Sequence, residues 1–309
     1  MSIFAKPITY YLTNKPRCSL EFKDIYSNVN DIFVLGDIHG DFSILKKALY
    51  KAKLINNSLK WIGGKSHLVQ LGDLLDGRIR LKTSKSNNDI FAMEEFTIFE
   101  FLNNLDIQAR AQGGRVHYLI GNHELMNLIG RFDYVLDQHM SATGLKIRKQ
   151  LFQPGGYMAS MMACHSYGIL KINNWIFCHG GLLPHHVDKR NITWINKLVK
   201  NVLSGNKTLE NLTQEEQNYL YGNDSFFWTR FYSQNANRCE VLNRTLDIVN
   251  NTHNEGGMVV GHTPHNNITD VCRSKLYFAD VGLSRSFGTE YSNIQILHIK
   301  KGFKPKIIN

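Results

Sequence analysis

The chain has 309 residues, of which 43% are hydrophobic and 20% charged, a balance that excludes a chain kept disordered by charge outweighing its apolar content. Its 36 Lys and Arg exceed its 26 Asp and Glu for a formal charge of +10, which leaves nucleic acid, an anionic surface or a phosphorylated substrate open as partners. No apolar run approaches the roughly 20 residues that span a bilayer, so the sequence predicts a soluble protein without a membrane partner. Residues 1–17 lack the continuous apolar core and cleavage site of a secretory signal. The five cysteines, Cys18, Cys164, Cys178, Cys239 and Cys272, are odd in number, scattered and free of any CxxC pair. That usage predicts neither a disulfide framework nor a zinc ribbon, and points to a reducing, cytoplasmic location.

In chain order, residues 31–36 read as a buried strand, and 41–53 as a helix with Phe42, Leu45, Leu49 and Ala52 at helical spacing. A second strand follows over 67–72. Residues 90–111 carry Phe91, Met93, Phe96, Phe99, Leu102 and Leu105 along one helical face, which Gly113 and Gly114 end before a strand over 116–121. Strands over 169–172 and 175–178 are joined by an Asn173-Asn174 hairpin turn. Helices are expected over 191–203, 213–220 and 237–251, then short strands over 257–260, 276–279 and 294–299.

Five of the apolar runs end in turns with metal-competent side chains: Asp37 and His39 in GDIHG, Asp73 and Asp76 in GDLLDG, Asn122 and His123 in GNHE, His179 in HGG, and His262 in GHTP. Singly, each has a structural explanation, because Asp after Gly makes turns and Asn caps helices. As a set they offer carboxylate, imidazole and amide oxygen donors with no cysteine among them, which suits divalent ions such as manganese, zinc or iron. Glycine beside each donor lets several loops crowd around one pair of ions. The motifs are spread over almost the whole chain and must converge, so one domain is the economical reading.

Together with VQLGD, IGNHELMNL, FCHGGLLP, FFWTR, VVGHTP and FADVGLSRSFG, these motifs make the chain resemble the calcineurin-like metallophosphoesterases. Within them it is most similar to the phosphoprotein phosphatase branch and its Shewanella-like members. The resemblance implies an α/β metallophosphoesterase fold, two packed β-sheets flanked by helices in an α-β-β-α sandwich. Residues 1–30 would form an extension packing on a single catalytic domain over 31–309. The implied activity is that of a metal-dependent phosphomonoester hydrolase, a protein phosphatase in which a water activated by two ions attacks phosphorus directly. The ions would be manganese, with iron or zinc possible, and the partner a phosphoprotein or phosphopeptide.

Carried over residue by residue, the resemblance assigns Asp37 and His39 to a first ion, Asp73 to both, and Asn122, His179 and His262 to the second. It makes His123 the proton donor to the leaving oxygen and Asp76 the residue that orients it, whereas Glu124 begins a helix and favours its dipole. Arg230 of WTR matches a family arginine that contacts phosphate, its alternative being a stack on Trp228 or Phe231. The family reads GDxxDRG where this chain has Gly77 and then Arg78, so Arg78 either reaches phosphate or belongs to a solvated basic loop with Arg80, Lys82 and Lys85. Pro264 stands where phosphodiesterase relatives place a second ligand histidine, with His265 one position too far on. The tyrosine-containing SAPNYC loop of eukaryotic phosphatases is replaced by DVGLSRSFG over 280–288. Two other functions are kept in view: hydrolysis of a dinucleoside polyphosphate or other small phosphoester, and a basic nucleic-acid-binding or scaffold module. Nucleic acid is disfavoured because no helix-turn-helix or aromatic-interleaved basic cluster is present.

Overall fold

The computed structural model describes residues 8–16, 18, 23–77, 94–135, 142–288 and 293–309. In chain order its strands are β1 (Ile25–Tyr26), β2 (Asp31–Leu35), β3 (His67–Gln70), β4 (Arg115–Leu119), β5 (Ser166–Tyr167), β6 (Ile169–Ile172), β7 (Trp175–Cys178), β8 (Gly257–Val260), β9 (Thr269–Val271), β10 (Leu276–Phe278), β11 (Ile296–Lys300) and β12 (Lys306–Ile308). They form two six-stranded sheets, ordered β12-β11-β2-β3-β4-β5 and β1-β6-β7-β8-β10-β9. Helices flank both, giving the layered α/β architecture expected from the sequence.

Each sheet carries a parallel trio, which the short β5 extends beside β4 in the first. β2, β3 and β4 are parallel, with Ile32 opposite His67 and His67 opposite Arg115. β7, β8 and β10 are likewise parallel, with Trp175 opposite Gly257 and Leu276 opposite Met258. Strands covered on both faces read as unbroken apolar runs rather than as alternations, and β3 and β8 are buried at every position. Parallel neighbours also end on the same side, so each sheet delivers three carboxyl-terminal loops to one edge.

The helices follow from capping and one-sided burial. Asp41 accepts from the Ile44 amide and starts the helix Phe42–Lys51, which buries Phe42, Ile44, Leu45, Ala48 and Leu49. Asn191 caps Ile192–Leu203 in the same way through the Trp194 amide. The helix expected from residue 90 is described from Glu94 to Ala111 and packs on β4. The two longest helices that escaped the sequence reading are Ala142–Phe152 and Tyr157–His165; the shorter Ile8–Thr13, Pro184–Val187 and Phe231–Gln234 escaped it too. Tyr157–His165 is buried from Met158 through Cys164, so it has no polar face and no period to read. β1, β5, β9 and β12 are too short to leave a pattern.

Ahead of β2, Tyr11 of the helix Ile8–Thr13 packs edge-on to Tyr157 and donates to Glu100 at 3.1 Å. β1 pairs with β6. The expectation for the cysteines is overturned: Cys18 bonds to Cys164 and Cys239 to Cys272, which leaves Cys178 as a buried thiol. The partners are 146 and 33 positions apart, so neither bridge has a local spacing to betray it, and the odd count merely reflects Cys178. The argument from cysteine usage for a reducing compartment loses its premise. No helix among the described residues is long and apolar enough to cross a membrane.

Candidate active site

The loops after both parallel trios meet in a cleft of about 370 Å³ lined by Asp37, His39, Asp73, Asn122, His123, His262 and Asp280, with Met126, Arg131, Tyr134, Trp228, Arg230, Pro264 and Phe287 around them. Every metal-competent residue singled out in the sequence lies in this region. Four of them, His39, Asp73, Asp76 and His262, have φ values of 42°, 52°, 69° and 65°. A non-glycine residue in that region costs about 1–3 kcal/mol and persists where the surroundings over-determine it. Here the strain turns each chain sharply off its strand. Two adjacent glycines serve a different need, because a Cβ on Gly121 would strike Asp73 Oδ1 and one on Gly261 would strike Asp37 Oδ1.

Asp73 is the centre of the arrangement. Its Oδ2 lies 3.3 Å from His179 Nε2 and 3.8 Å from both His39 Nε2 and His123 Nε2. Two groups of potential ligands share it: His39, Asp73 and His123, and Asp73, His179 and His262, each with one ligand atom per residue within 4.8 Å of the others. The ring nitrogens of His39 and His179 that face away are anchored on backbone carbonyls, Leu75 O at 3.0 Å and Leu71 O at 2.9 Å, which fixes Nε2 toward the carboxylate. His262 is turned the other way, with Nε2 held 3.0 Å from Trp228 O, so its Nδ1 is the ring nitrogen left to ligate.

His179 shows what the cluster is built to hold. With Nδ1–H donating to Leu71 O, a neutral ring points the Nε2 lone pair at two acceptors, Asn122 Oδ1 at 2.9 Å and Asp73 Oδ2 at 3.3 Å. Three electron-rich atoms in contact call for a cation or a proton among them. Burial opposes charge on His179, but the Asp73 carboxylate overrides it and raises the imidazole pKa. Burial also opposes charge on Asp73, and His179, His123 and His39 hold its carboxyl well below the usual range.

Asp37 is placed differently from its neighbours. It belongs to neither ligand group and accepts from the His262 amide at 3.2 Å. Burial, with the carboxylates of Asp280 and Asp73 beside it, pushes its pKa well above normal. Asp280 itself is pushed up to about 6, chiefly by burial. His265 stacks on Phe278, outside both ligand groups. The neighbour of Asn122, His123, directs Nδ1 to Asp76 Oδ2 at 2.8 Å. Glu124 caps the helix Asn122–Leu128 through the Gly121 amide, and it also accepts from the amides of Asp73, Leu74 and Leu75. Its carboxylate therefore clamps the turn that aims Asp73, a larger role than a dipole partner.

Arg230 stands on the cleft wall with Nη1 2.9 Å from His262 Nε2 and Nη2 donating to His262 O at 3.4 Å. Arg78 and the basic loop around it lie outside the described residues. The DVGLSRSFG stretch, read from the sequence only as a departure, supplies Asp280 and lays Phe287 edge-on to His39 at 5.1 Å. Arg285 anchors it by a fork onto Asp41, at 2.7 and 2.9 Å. Sequence reasoning also missed Glu95 and Arg148, buried behind Asp76. Both sit inside helices with no motif around them.

Residues 31–297 match the family described as calcineurin-like phosphoesterase. Shewanella-like protein phosphatase 2 of Arabidopsis thaliana is 25% identical over 324 residues, covering 90% of this chain and 77% of that relative. Shewanella-like protein phosphatase 1 of Plasmodium berghei is 29% identical over 298 residues, covering 91% and 76%. A crystal structure of a cold-active protein-tyrosine phosphatase from a psychrophilic Shewanella shares the fold with a TM-score of 0.75 at 24% identity, over 93% of this chain and 83% of that one. The matched span runs from the first residue of β2 into β11 and takes in every loop that meets in the cleft, and the chain belongs to the calcineurin-like phosphoesterase family.

Proposed function

We propose that this phosphoesterase is a metal-dependent protein phosphatase that hydrolyses phosphomonoesters by direct attack of an activated water on phosphorus. The shared carboxylate carries the reading: Asp73 is common to both ligand groups. The donors fit a pair of divalent ions, since carboxylate, imidazole and amide oxygen together suit borderline metals, with manganese first and iron or zinc as alternatives. Asp37 and His39 would serve one ion, Asn122, His179 and His262 the other, and Asp73 both. When bound, such a pair lowers the pKa of a shared water and offsets charge on the phosphoryl oxygens.

The remaining steps belong to the chain itself. His123, its Nδ1–H held by Asp76, presents Nε2 to the cleft and can protonate the leaving oxygen, while the carboxylate stabilises the charged ring. Arg230 offers a guanidinium fork to phosphate oxygens from the wall. Tyr134, Phe287 and Trp228 place rings 5.0, 5.1 and 6.5 Å from His123, His39 and His262. That rim suits a flat phenyl ring, so among phosphoproteins the reading favours phosphotyrosine. The test is a panel of phosphotyrosine, phosphoserine and phosphothreonine peptides and a dinucleoside polyphosphate at equal concentration, assayed after chelation and after manganese is restored. Manganese-dependent turnover led by phosphotyrosine is expected. Full turnover in metal-free protein, or preference for the dinucleoside polyphosphate, would overturn the reading.

A further inference from the structure

Behind the cleft, Asp76 is gripped from two sides. Its carboxylate accepts from His123 Nδ1 at 2.8 Å, from Asn127 Nδ2 at 2.9 Å and from Arg148 Nη2 at 3.0 Å. Its backbone amide and that of Gly77 donate to Glu95 Oε1 at 2.8 and 3.1 Å. Arg148 closes the ring, with Nη1 on Glu95 Oε2 at 2.8 Å and Nε on Asn127 Oδ1 at 2.6 Å. The fork lies over Phe152, one helical turn on, whose ring centroid is 5.0 Å from the guanidinium carbon. All four polar partners are sealed in, at 2% exposure for Arg148, 1% for Asn127 and 0% for Asp76 and Glu95.

We propose that Arg148, with Glu95, is a positioning residue for the His123–Asp76 pair, holding the Asp76 carboxylate so that Oδ2 alone meets the imidazole. The inference rests on the reading of His123 as proton donor. A guanidinium this deeply buried is tolerated only when it is fully paired, and its five donors have a fixed geometry. Rotation of the Asp76 carboxylate would break the Arg148 and Asn127 bonds together. Glu95 meanwhile fixes the backbone from which the carboxylate hangs. Gly77, directly after this aspartate, brings no side chain of its own to the turn. Its carbonyl accepts from Ser286 Oγ at 2.9 Å, and the bracing of the carboxylate comes from Arg148 on the helix Ala142–Phe152.

A general core role and a positioning role separate by leaving group. Arg148→Lys and Glu95→Gln retain side-chain bulk and avoid the unpaired buried carboxylates that Arg148→Ala would leave, so they are the variants to assay. Each is measured for kcat and KM on a phosphoserine peptide, whose alkoxide must be protonated, and on p-nitrophenyl phosphate, whose phenolate leaves unaided. Metal content and melting are followed alongside. For Arg148→Lys the expected result is a fall in kcat of about 10²-fold on the peptide, at nearly unchanged KM. The loss on p-nitrophenyl phosphate should stay under about tenfold, with full metal content. Glu95→Gln should lose less, with the same bias. Equal losses on both substrates, or none in folded protein, would overturn the inference. His123→Asn is the internal reference: a leaving-group bias there but not in Arg148→Lys sinks this inference alone, and no bias in His123→Asn sinks the proton-donor assignment and this inference with it.

Discussion

Two buried histidine clusters lie along β3 and β4, one on the strands themselves and one beyond their carboxyl ends, where the loops after β2, β7 and β8 join them. In the first, His117 Nε2 meets His67 Nδ1 at 3.0 Å, and the rings pack on Tyr26 of β1 and Tyr167 of β5. The charged neighbours here are mixed, Arg115 and Lys23 against Asp106, and the Asp106 carboxylate accepts from Arg115 Nε at 2.8 Å rather than from the imidazoles. Burial, and after it Arg115, lowers His67 to about 4, and burial drives His117 well below its usual value. Both rings stay neutral, sit on regular strand and satisfy one another. In the second cluster the centre is the carboxylate of Asp73, two of the imidazoles, His39 and His262, hang from turns of positive φ, and the group opens into a cleft. Burying histidines is therefore not what makes a site. A shared anion, and loops that aim several ring nitrogens at it beside an open cleft, make the difference.

Substitutions can break that contrast, starting from its anion. Asp73→Asn removes the charge common to both ligand groups, and turnover should fall by more than the ~10⁴-fold at the upper end for a single acid-base group, with metal lost in elemental analysis. A variant with full metal and near-normal kcat would show that Asp73 is not the centre. His123→Asn should cost about 10²- to 10⁴-fold on alkyl phosphoesters and much less on p-nitrophenyl phosphate, with metal content retained. Loss of an ion would mean that His123 ligates, as its place beside His39 and Asp73 permits.

Arg230→Lys keeps the charge and discards the fork, so kcat/KM should drop by about 1.5–3 kcal/mol of transition-state binding, the range for a hydrogen bond to a charged group. An unchanged kcat/KM would assign Arg230 to bracing His262 only. The smallest effect on activity belongs to the other cluster. Because His67 is held near 4 in the fold against about 6.5 when unfolded, the unfolded chain binds more protons between those values. Its contribution is complete above pH ~6.5 and is lost as pH falls toward ~4, by about 3 kcal/mol at most. His67→Gln should flatten that part of the urea-denaturation profile and leave kcat at neutral pH untouched; an unchanged profile would show that His67 is not its source.

The strands that feed the cleft were legible because a fully buried parallel strand is a short apolar run, and the glycines after it mark where the chain must turn. Asp37, His39, Asp73, Asn122, His179 and His262 share that local signature. Glu95 and Arg148 do not. Each lies in an ordinary helix, Glu95 in the first turn of one and Arg148 within another, and only the tertiary fold brings them behind Asp76, from positions 19 residues later in the chain for Glu95 and 72 later for Arg148. Asp280 was overlooked for a similar reason, since FADVG gives no hint that its carboxylate will face Asp37. The disulfides show the limit most plainly, because a pairing across 146 residues is a property of the folded chain.

Because three of the converging loops come from each sheet, the cleft exists only while the two sheets are docked. Divalent ions that bind there bind the docked form alone, and by mass action they hold the sheets together: a ligand at 100 times its Kd adds about 2.7 kcal/mol to stability. Melting temperature should therefore climb with manganese concentration in wild type and hardly at all in Asp73→Asn. The ions would act as rivets between the layers as well as reagents, and a cell short of metal would hold a chain that is easier to unfold as well as inactive.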